Sequence, residues 1–382
     1  MKKRIFIGVV VCLALFLTTW ADKPPKDELW KLRQLSKDPN SIVVMTRNIY
    51  VGGNVDRVIE ETDPNLIPVR VAETFAEVMS TDFNYRVEAL VDEIEKAQPH
   101  LIGLQEISLI RYQSPSNFPA LPDATLVLWD YLDILMTALG NRGLDYYVAG
   151  IVENADVEVP MIVDFTPPFA FDDVRLTDYD VVLARGDVIT DNVMEKNYAA
   201  LYFDPPIIIP RGYVAVDATV GHKTYRFVNT HLEPFGVGIQ QAQAAELLVD
   251  LQYETLPIIL VGDLNTEAPT GDTYQMLLNN NYVDAWTRNN VRPKIPGYTS
   301  NHDADLRNEV VDLDERIDLI MVKSHVGMNG IHNIGPVFAY VVGDELGDRF
   351  WYEYDGLYPW LWPSDHAGVA ALLHIPVLGK YK

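Results

Sequence analysis

Pro257-Ile258-Ile259-Leu260-Val261-Gly262-Asp263-Leu264-Asn265 is an apolar run that ends in a glycine, an acid and an amide. Its first five residues have the length and branched content of a buried strand. Asp263 and Asn265 stand two apart, so on extended backbone they face the same side. An acid and an amide aimed together orient a water and stabilise developing charge, whereas the ordinary alternative is a plain strand-to-turn Gly-Asp.

The same design recurs outward from this stretch. Tyr225 to Thr230 reads as a strand that runs into His231, and Leu101 to Leu104 as one that runs into Gln105-Glu106. Ile42 to Met45 leads to Thr46-Arg47-Asn48, while Ser364-Asp365-His366 precedes a strand at 368–373. Further strands are expected at 179–185 and 317–322. Val87, Leu90, Val91 and Ile94 repeat at helical spacing before Pro99, and helices are also expected over 125–139 and 240–251. Such a mixture places the chain in the α+β class, with layered sheets and helices outside. Active sites are commonly built at strand ends, where a rigid scaffold aims the side chains.

Each terminal residue has a bland reading and a chemical one. Glu106 alone is a solvated strand end, but it is also the carboxylate a hard Mg²⁺ ion takes. Asn48 alone is a turn residue, but as a neutral amide it orients that carboxylate or a metal-bound water. His231 fits a structural role or a grip on a phosphate oxygen. His366 has two carboxylates to draw on, Asp365 beside it and Asp318 in Arg316-Ile317-Asp318; a carboxylate on one ring nitrogen fixes the tautomer and raises basicity, as a general base needs. No Gly-x-Ser-x-Gly is present, so attack by water is favoured over a nucleophilic triad.

In order, Thr46-Arg47-Asn48-Ile49-Tyr50, Leu104-Gln105-Glu106, Asn229-Thr230-His231-Leu232, Gly262-Asp263-Leu264-Asn265, Arg316-Ile317-Asp318 and Ser364-Asp365-His366 resemble the endonuclease/exonuclease/phosphatase superfamily of metal-dependent phosphoesterases, over about residues 42–376. The resemblance implies a four-layer α/β sandwich, two packed and mainly antiparallel sheets with helices on both outer faces. It also implies a Mg²⁺ site (Mn²⁺ or Ca²⁺ in its place) at Glu106, with Asn48 and Asp365 close to the ion. His366 would be the general base, oriented by Asp318. Asp263 would position the water, and Asn265 and His231 would hold phosphoryl oxygens. The histidine at 231 resembles the deoxyribonuclease, sphingomyelinase and 5-phosphatase branches.

Composition narrows the substrate. The chain has 382 residues and a net charge of -24, which opposes generic capture of long polyanions. Residues 1–21 read as a signal peptide: Lys2-Lys3-Arg4, an uncharged run from Ile5 to Trp20, and Ala21 as the cleavage position. That run is short against the ~20 residues of a membrane span, so an exported protein, periplasmic or secreted, without a stable span after processing is expected. The one cysteine, Cys12, lies inside it, which leaves no thiol chemistry in the mature chain. Residues 22–40 read as a linker and 41–382 as the catalytic domain.

Residues 108–175, 266–312 and 335–363 look expanded, with loops expected there. Seven aromatic residues between Phe350 and Trp362 form either a self-packed loop or an apolar wall beside the phosphate. Asp303, Asp305, Asp312, Asp314 and Glu315 read as a solvated acidic loop ahead of a second cation site. The leading expectation is an exported phosphodiesterase, either a nuclease or sphingomyelinase-like, acting on a lipid, nucleic acid or small organic diester. A phosphomonoesterase on a sugar or inositol phosphate ranks lower for want of a dense Lys/Arg cluster. A binding protein on the same scaffold ranks lower because base, orienter and metal carboxylate occur together.

Overall fold

Two sheets are organised around one parallel strand pair each. A computed structural model describes residues 29–35, 37–38, 40–119, 122–204, 207–291, 295–324, 334–352 and 360–376. The helices are α1 (Trp30–Leu35), α2 (Asp56–Ile59), α3 (Ile67–Thr81), α4 (Phe83–Ala97), α5 (Tyr131–Asn141), α6 (Val237–Asp250) and α7 (Asp272–Asn279). The first half of the chain supplies β1 (Ile42–Asn48), β2 (Leu101–Gln113), β3 (Leu126–Asp130), β4 (Tyr146–Asp164), β5 (Ala170–Arg185) and β6 (Ile189–Asn197). Then come β7 (Tyr202–Asp204), β8 (Ile207–Ile209), β9 (Gly212–Val220), β10 (Lys223–His231), β11 (Ile258–Asp263) and β12 (Val283–Asp284). The last strands are β13 (Asp318–Lys323), β14 (Val337–Val342), β15 (Phe350–Trp351), β16 (Trp360–Leu361) and β17 (Gly368–Leu373).

The first sheet has the order β14-β17-β1-β2-β5-β4, with β3 beside β2; the second has the order β12-β13-β11-β10-β9-β6. Only β1/β2 and β10/β11 run parallel within them, and every other pair is antiparallel. One apolar core fills the space between the sheets, from Val44, Val182 and Ala371 across to Phe227, Val261 and Ile320. A second lies under α3, α4 and α5, and a third under α6 and α7. The four-layer sandwich is the observed architecture.

Several local expectations change. The helix expected at 125–139 is strand β3 followed by α5, because Leu126-Val127-Leu128-Trp129 adds to the edge of β2 and Asp130 then caps α5 through the amide of Asp133. Residues 108–175, expected as an expanded loop, are mostly β2, β3, α5, β4 and the start of β5, since β4 and β5 pair along nearly their whole length. Within the expected linker, α1 packs Leu32 into the first-sheet core. The expected signal peptide lies outside the described residues. No helix among the described residues is long and apolar enough to cross a membrane.

Candidate active site

The topology gathers the strand ends. In the parallel pairs Asn48 lies opposite Gln105, and His231 opposite Asp263. Strand β13 starts where antiparallel β11 ends, which sets Asp318 opposite Asp263. Gly262 makes the last step possible: its φ is +148°, and a Cβ there would stand 1.8 Å from the carbonyl oxygen of Thr230. Gly103 serves the sheet interface likewise, because a Cβ would sit 2.6 Å from Asn229 Oδ1. Asn229 donates to the carbonyls of Leu104 and Val181 and accepts from Gln105 Nε2 at 2.6 Å, a polar clasp between the sheets beneath the site.

Glu106 reaches the site through a break in β2. The register with β5 shifts between Leu104 and Ile107, and Glu106 itself has φ +59°. Simple alternation would put Gln105 and Glu106 on opposite faces; the bulge re-aims the carboxylate. Its Oε1 accepts from Asn48 Nδ2 at 2.9 Å and its Oε2 from the amide of Val51 at 2.9 Å. Tyr50, Asn265 and Leu306 also take positive φ, so left-handed backbone is concentrated around this centre.

Asp263 is the hub. Its Oδ2 accepts from Asn48 Nδ2 at 3.1 Å and lies 3.6 Å from His231 Nε2 and 3.7 Å from His366 Nε2. Its Oδ1 accepts the amide of Asn265, whose side-chain nitrogen donates to the carbonyl of Leu232. Burial pushes the Asp263 carboxyl up to about 6. His366 Nδ1 pairs with Asp318 Oδ2 at 2.8 Å. Burial alone would lower the His366 pKa, but the Asp318 and Asp263 carboxylates outweigh it and hold the pKa well above the usual histidine value. Burial, with the charge of Glu106 close by, pushes Asp365 to about 7 despite His366 and Arg86.

Oxygen donors dominate here. Glu106 and Asp263 share the Asn48 nitrogen, and Asp365, raised first by burial, also feels the charge of both; hard carboxylates of this kind suit Mg²⁺, Mn²⁺ or Ca²⁺. These residues fit a divalent ion. Asn48 donates its side-chain nitrogen to Glu106 and Asp263, and its Oδ1 accepts the amide of Tyr50 at 3.0 Å. This geometry orients the Glu106 carboxylate.

Support comes from residues that motif reading passes over. Arg47 forks onto Glu93 of α4 at 2.9 and 3.0 Å and donates to the carbonyl of His366 at 2.5 Å. Arg86, also on α4, donates to the carbonyls of Ile49, Tyr50 and Pro363. Thr299 Oγ1 accepts the amides of Ile317 and Asp318, and its carbonyl takes the amide of Ala367. Beside His231 lies an unanticipated buried group, Asp178 and Asp180, whose ligand atoms fall within 4.8 Å of one another and of the imidazole. Neither oxygen of Asp180 has a hydrogen-bond partner.

The aromatic cluster divides. Trp362 is fully buried, stacks on His302 with centroids 4.1 Å apart and donates its indole N–H to the carbonyl of Asn308. Trp360 and Trp351 are exposed, and residues 353–359 lie outside the described set. Asp305 pairs with Arg307 and Asp314 accepts from Asn301, which fits the acidic-loop reading.

Residues 78–366 match the model of the Endonuclease/Exonuclease/phosphatase family, and the chain belongs to that family of phosphoester hydrolases. Among solved structures, a family protein from Bacteroides thetaiotaomicron aligns with TM-score 0.51 at 14% identity, covering 90% of this chain and 98% of that one. A second, from Bacteroides vulgatus, aligns with TM-score 0.50 at 15% identity, covering 88% and 99%. At such identity the likeness speaks to the fold alone. No protein of curated function matches the chain in sequence.

Proposed function

We propose that this protein is an exported, divalent-metal-dependent phosphodiesterase in which water attacks phosphorus in line. The observation that carries the reading is the Asp318–His366–Asp263 arrangement beside Glu106, an imidazole oriented through Nδ1 with Nε2 turned to the hub carboxylate. Glu106 and Asp365 would hold the ion, Mg²⁺ by donor hardness, with Asp263 next to them. When bound, the ion offsets charge on the phosphate and leaving oxygen.

The protein's own groups account for the rest. Asp318 and Asp263 favour the protonated ring of His366; a cation held by Glu106 and Asp365 would offset that negative charge and free Nε2 while Asp318 keeps the other proton on Nδ1, so that Nε2 would accept a proton from water as the new P–O bond forms. The old P–O bond then breaks, and the departing oxygen leaves as an alcohol once protonated. Asp263 and Asn48 fix the water's approach through their shared hydrogen bond. His231 is neutral, since burial and then Arg211 lower its pKa well below the usual value. It therefore offers an N–H to a non-bridging oxygen, and Asn265 flanks the same position.

Charge favours a diester. Glu106 and Asp263 meet at Asn48, and Asp318, Asp263 and Asp365 act on His366, so a singly charged phosphodiester meets less repulsion there than a doubly charged monoester. The test is hydrolysis of bis(p-nitrophenyl) phosphate and p-nitrophenyl phosphate by residues 22–382 with Mg²⁺, Mn²⁺ or Ca²⁺. EDTA, Glu106→Ala and His366→Ala serve as controls. Metal-dependent diester cleavage lost in all three controls is expected. Cleavage of the monoester alone would replace the reading with a phosphatase, and activity that survives Glu106→Ala would remove it.

A further inference from the structure

A cavity of about 190 Å³ lies between the α2–α3 helices and the long β2–β5–β4 sheet, with β8 closing one side. Its walls are aliphatic, with Val58 and Val71 from the helices facing Val157, Leu176 and Ile209 from the strands. Thr74 also lines it, but its hydroxyl is committed to the carbonyl of Asn54. The other polar side chains at its wall are Glu106, Ser108, Asp178 and Arg211. These four belong together: Ser108 faces Asp178 across the β2/β5 pair, Glu106 is two residues before Ser108, and Arg211 lies 3.6 Å from Asp178. The cavity is therefore continuous with the candidate metal carboxylate.

Such a space has a definite chemical preference. A nucleobase or sugar would lose the hydrogen bonds of its polar edges against valine and isoleucine, a cost that an alkyl chain does not meet. The one ring in the lining, Phe75, packs edge-on with Trp129. An engineered apolar cavity of roughly 150 Å³ accepts benzene, so this one has room for about six to eight carbons. We propose that the cavity is the subsite for an aliphatic chain, so that the substrate is a phosphoester carrying one alkyl or acyl tail with its phosphate beside Glu106. The proposal rests on the phosphodiesterase reading and deepens it.

The test uses p-nitrophenyl methyl, butyl and octyl phosphates with Mg²⁺, alongside calorimetric binding of methyl- and octylphosphonate, which needs no turnover. Each added methylene is expected to raise kcat/KM by about fourfold. Octylphosphonate, longer by about seven methylenes, should bind at least about a thousandfold more tightly than methylphosphonate. Ala155→Phe, which projects a ring into the cavity, should collapse both ratios, and Val71→Phe repeats the test from the opposite wall. Flat dependence on chain length in both series overturns the proposal, whether or not metal- and His366-dependent hydrolysis persists. If no diester is cleaved but phosphonate binding still follows chain length, the cavity assignment stands and the phosphodiesterase reading falls.

Discussion

Arg211 Nη1 stands 3.1 Å from His231 Nδ1. A guanidinium only donates, so Nδ1 is the acceptor and the ring proton sits on Nε2, the nitrogen that faces Asp263. The arginine thus selects the tautomer that the site uses, while Asp178 and Glu233 hold the arginine. Arg211→Lys keeps the charge but loses the planar fork. It is expected to lower kcat by about 10- to 100-fold, the usual cost of losing an orienting partner. Nitrogen NMR of the imidazole checks the cause: the wild type should show the Nε2–H tautomer and the variant a mixture. An unchanged tautomer with reduced kcat would assign the loss elsewhere.

Asn48 and Glu106 make the second prediction. The amide nitrogen fixes one oxygen of the carboxylate, and the Val51 backbone fixes the other. Glu106→Gln removes the charge and is expected to weaken Mn²⁺ binding by about 10- to 100-fold, with Asn48→Ala at the lower end of that range. Metal at a hundredfold over its Kd should stabilise the wild type by about 2.7 kcal/mol, and EDTA should reverse it. Thermal unfolding with and without metal reads both. An equal metal-induced shift in Glu106→Gln would place the ion at other residues.

The site residues were legible because each borders an apolar run, and a strand in a buried sheet delivers its end residues to the sheet edge. Asn48, His231 and Asp263 close their strands, Asp318 opens β13, His366 precedes β17, and Glu106 follows the apolar start of β2 at its bulge. What the sequence hides is support through distant contacts. Arg47 reaches a carbonyl 319 positions away, and Arg86 one 277 positions away. Arg86 and Glu93 did leave a trace, since a spacing of seven puts them together on the helix face that carries Val87, Leu90 and Ile94. Asp178 and Asp180 left another, two acids at strand period at the head of an apolar run. The helix expected at 125–139 failed because an edge position beside β2 outweighed propensity in Leu126–Trp129.

Trp362 and Trp360 separate packing from surface. Trp362→Ala deletes a fully buried indole and its hydrogen bond, and is expected to destabilise the protein by about 3–5 kcal/mol in urea unfolding. Trp360 is 52% exposed, so Trp360→Ala should fall within about 0.5 kcal/mol of the wild type. Because Trp362 stacks on His302, whose backbone amide bonds the Asp365 carbonyl, the first variant should also lose activity. Comparable stability for the two variants would refute the division of the cluster into core and surface.

His100 supplies the pH dependence. Its Nδ1 accepts the amide of Val43 at 2.9 Å, and burial, then Arg185, lower its pKa to about 4. In the unfolded chain the same ring titrates near 6.5. Between those values the unfolded state binds the extra proton, so stability rises with pH there. The contribution is complete above about pH 6.5 and is lost as pH falls toward 4; the two pKa values imply roughly 3 kcal/mol. His100→Gln retains an acceptor but cannot titrate, so its unfolding free energy should fall less steeply across that window. Carboxylates elsewhere titrate in both proteins, and the difference between the two curves isolates the ring. Parallel curves from pH 6.5 to 4 would show that His100 is protonated in the folded protein and that burial and Arg185 do not keep it neutral.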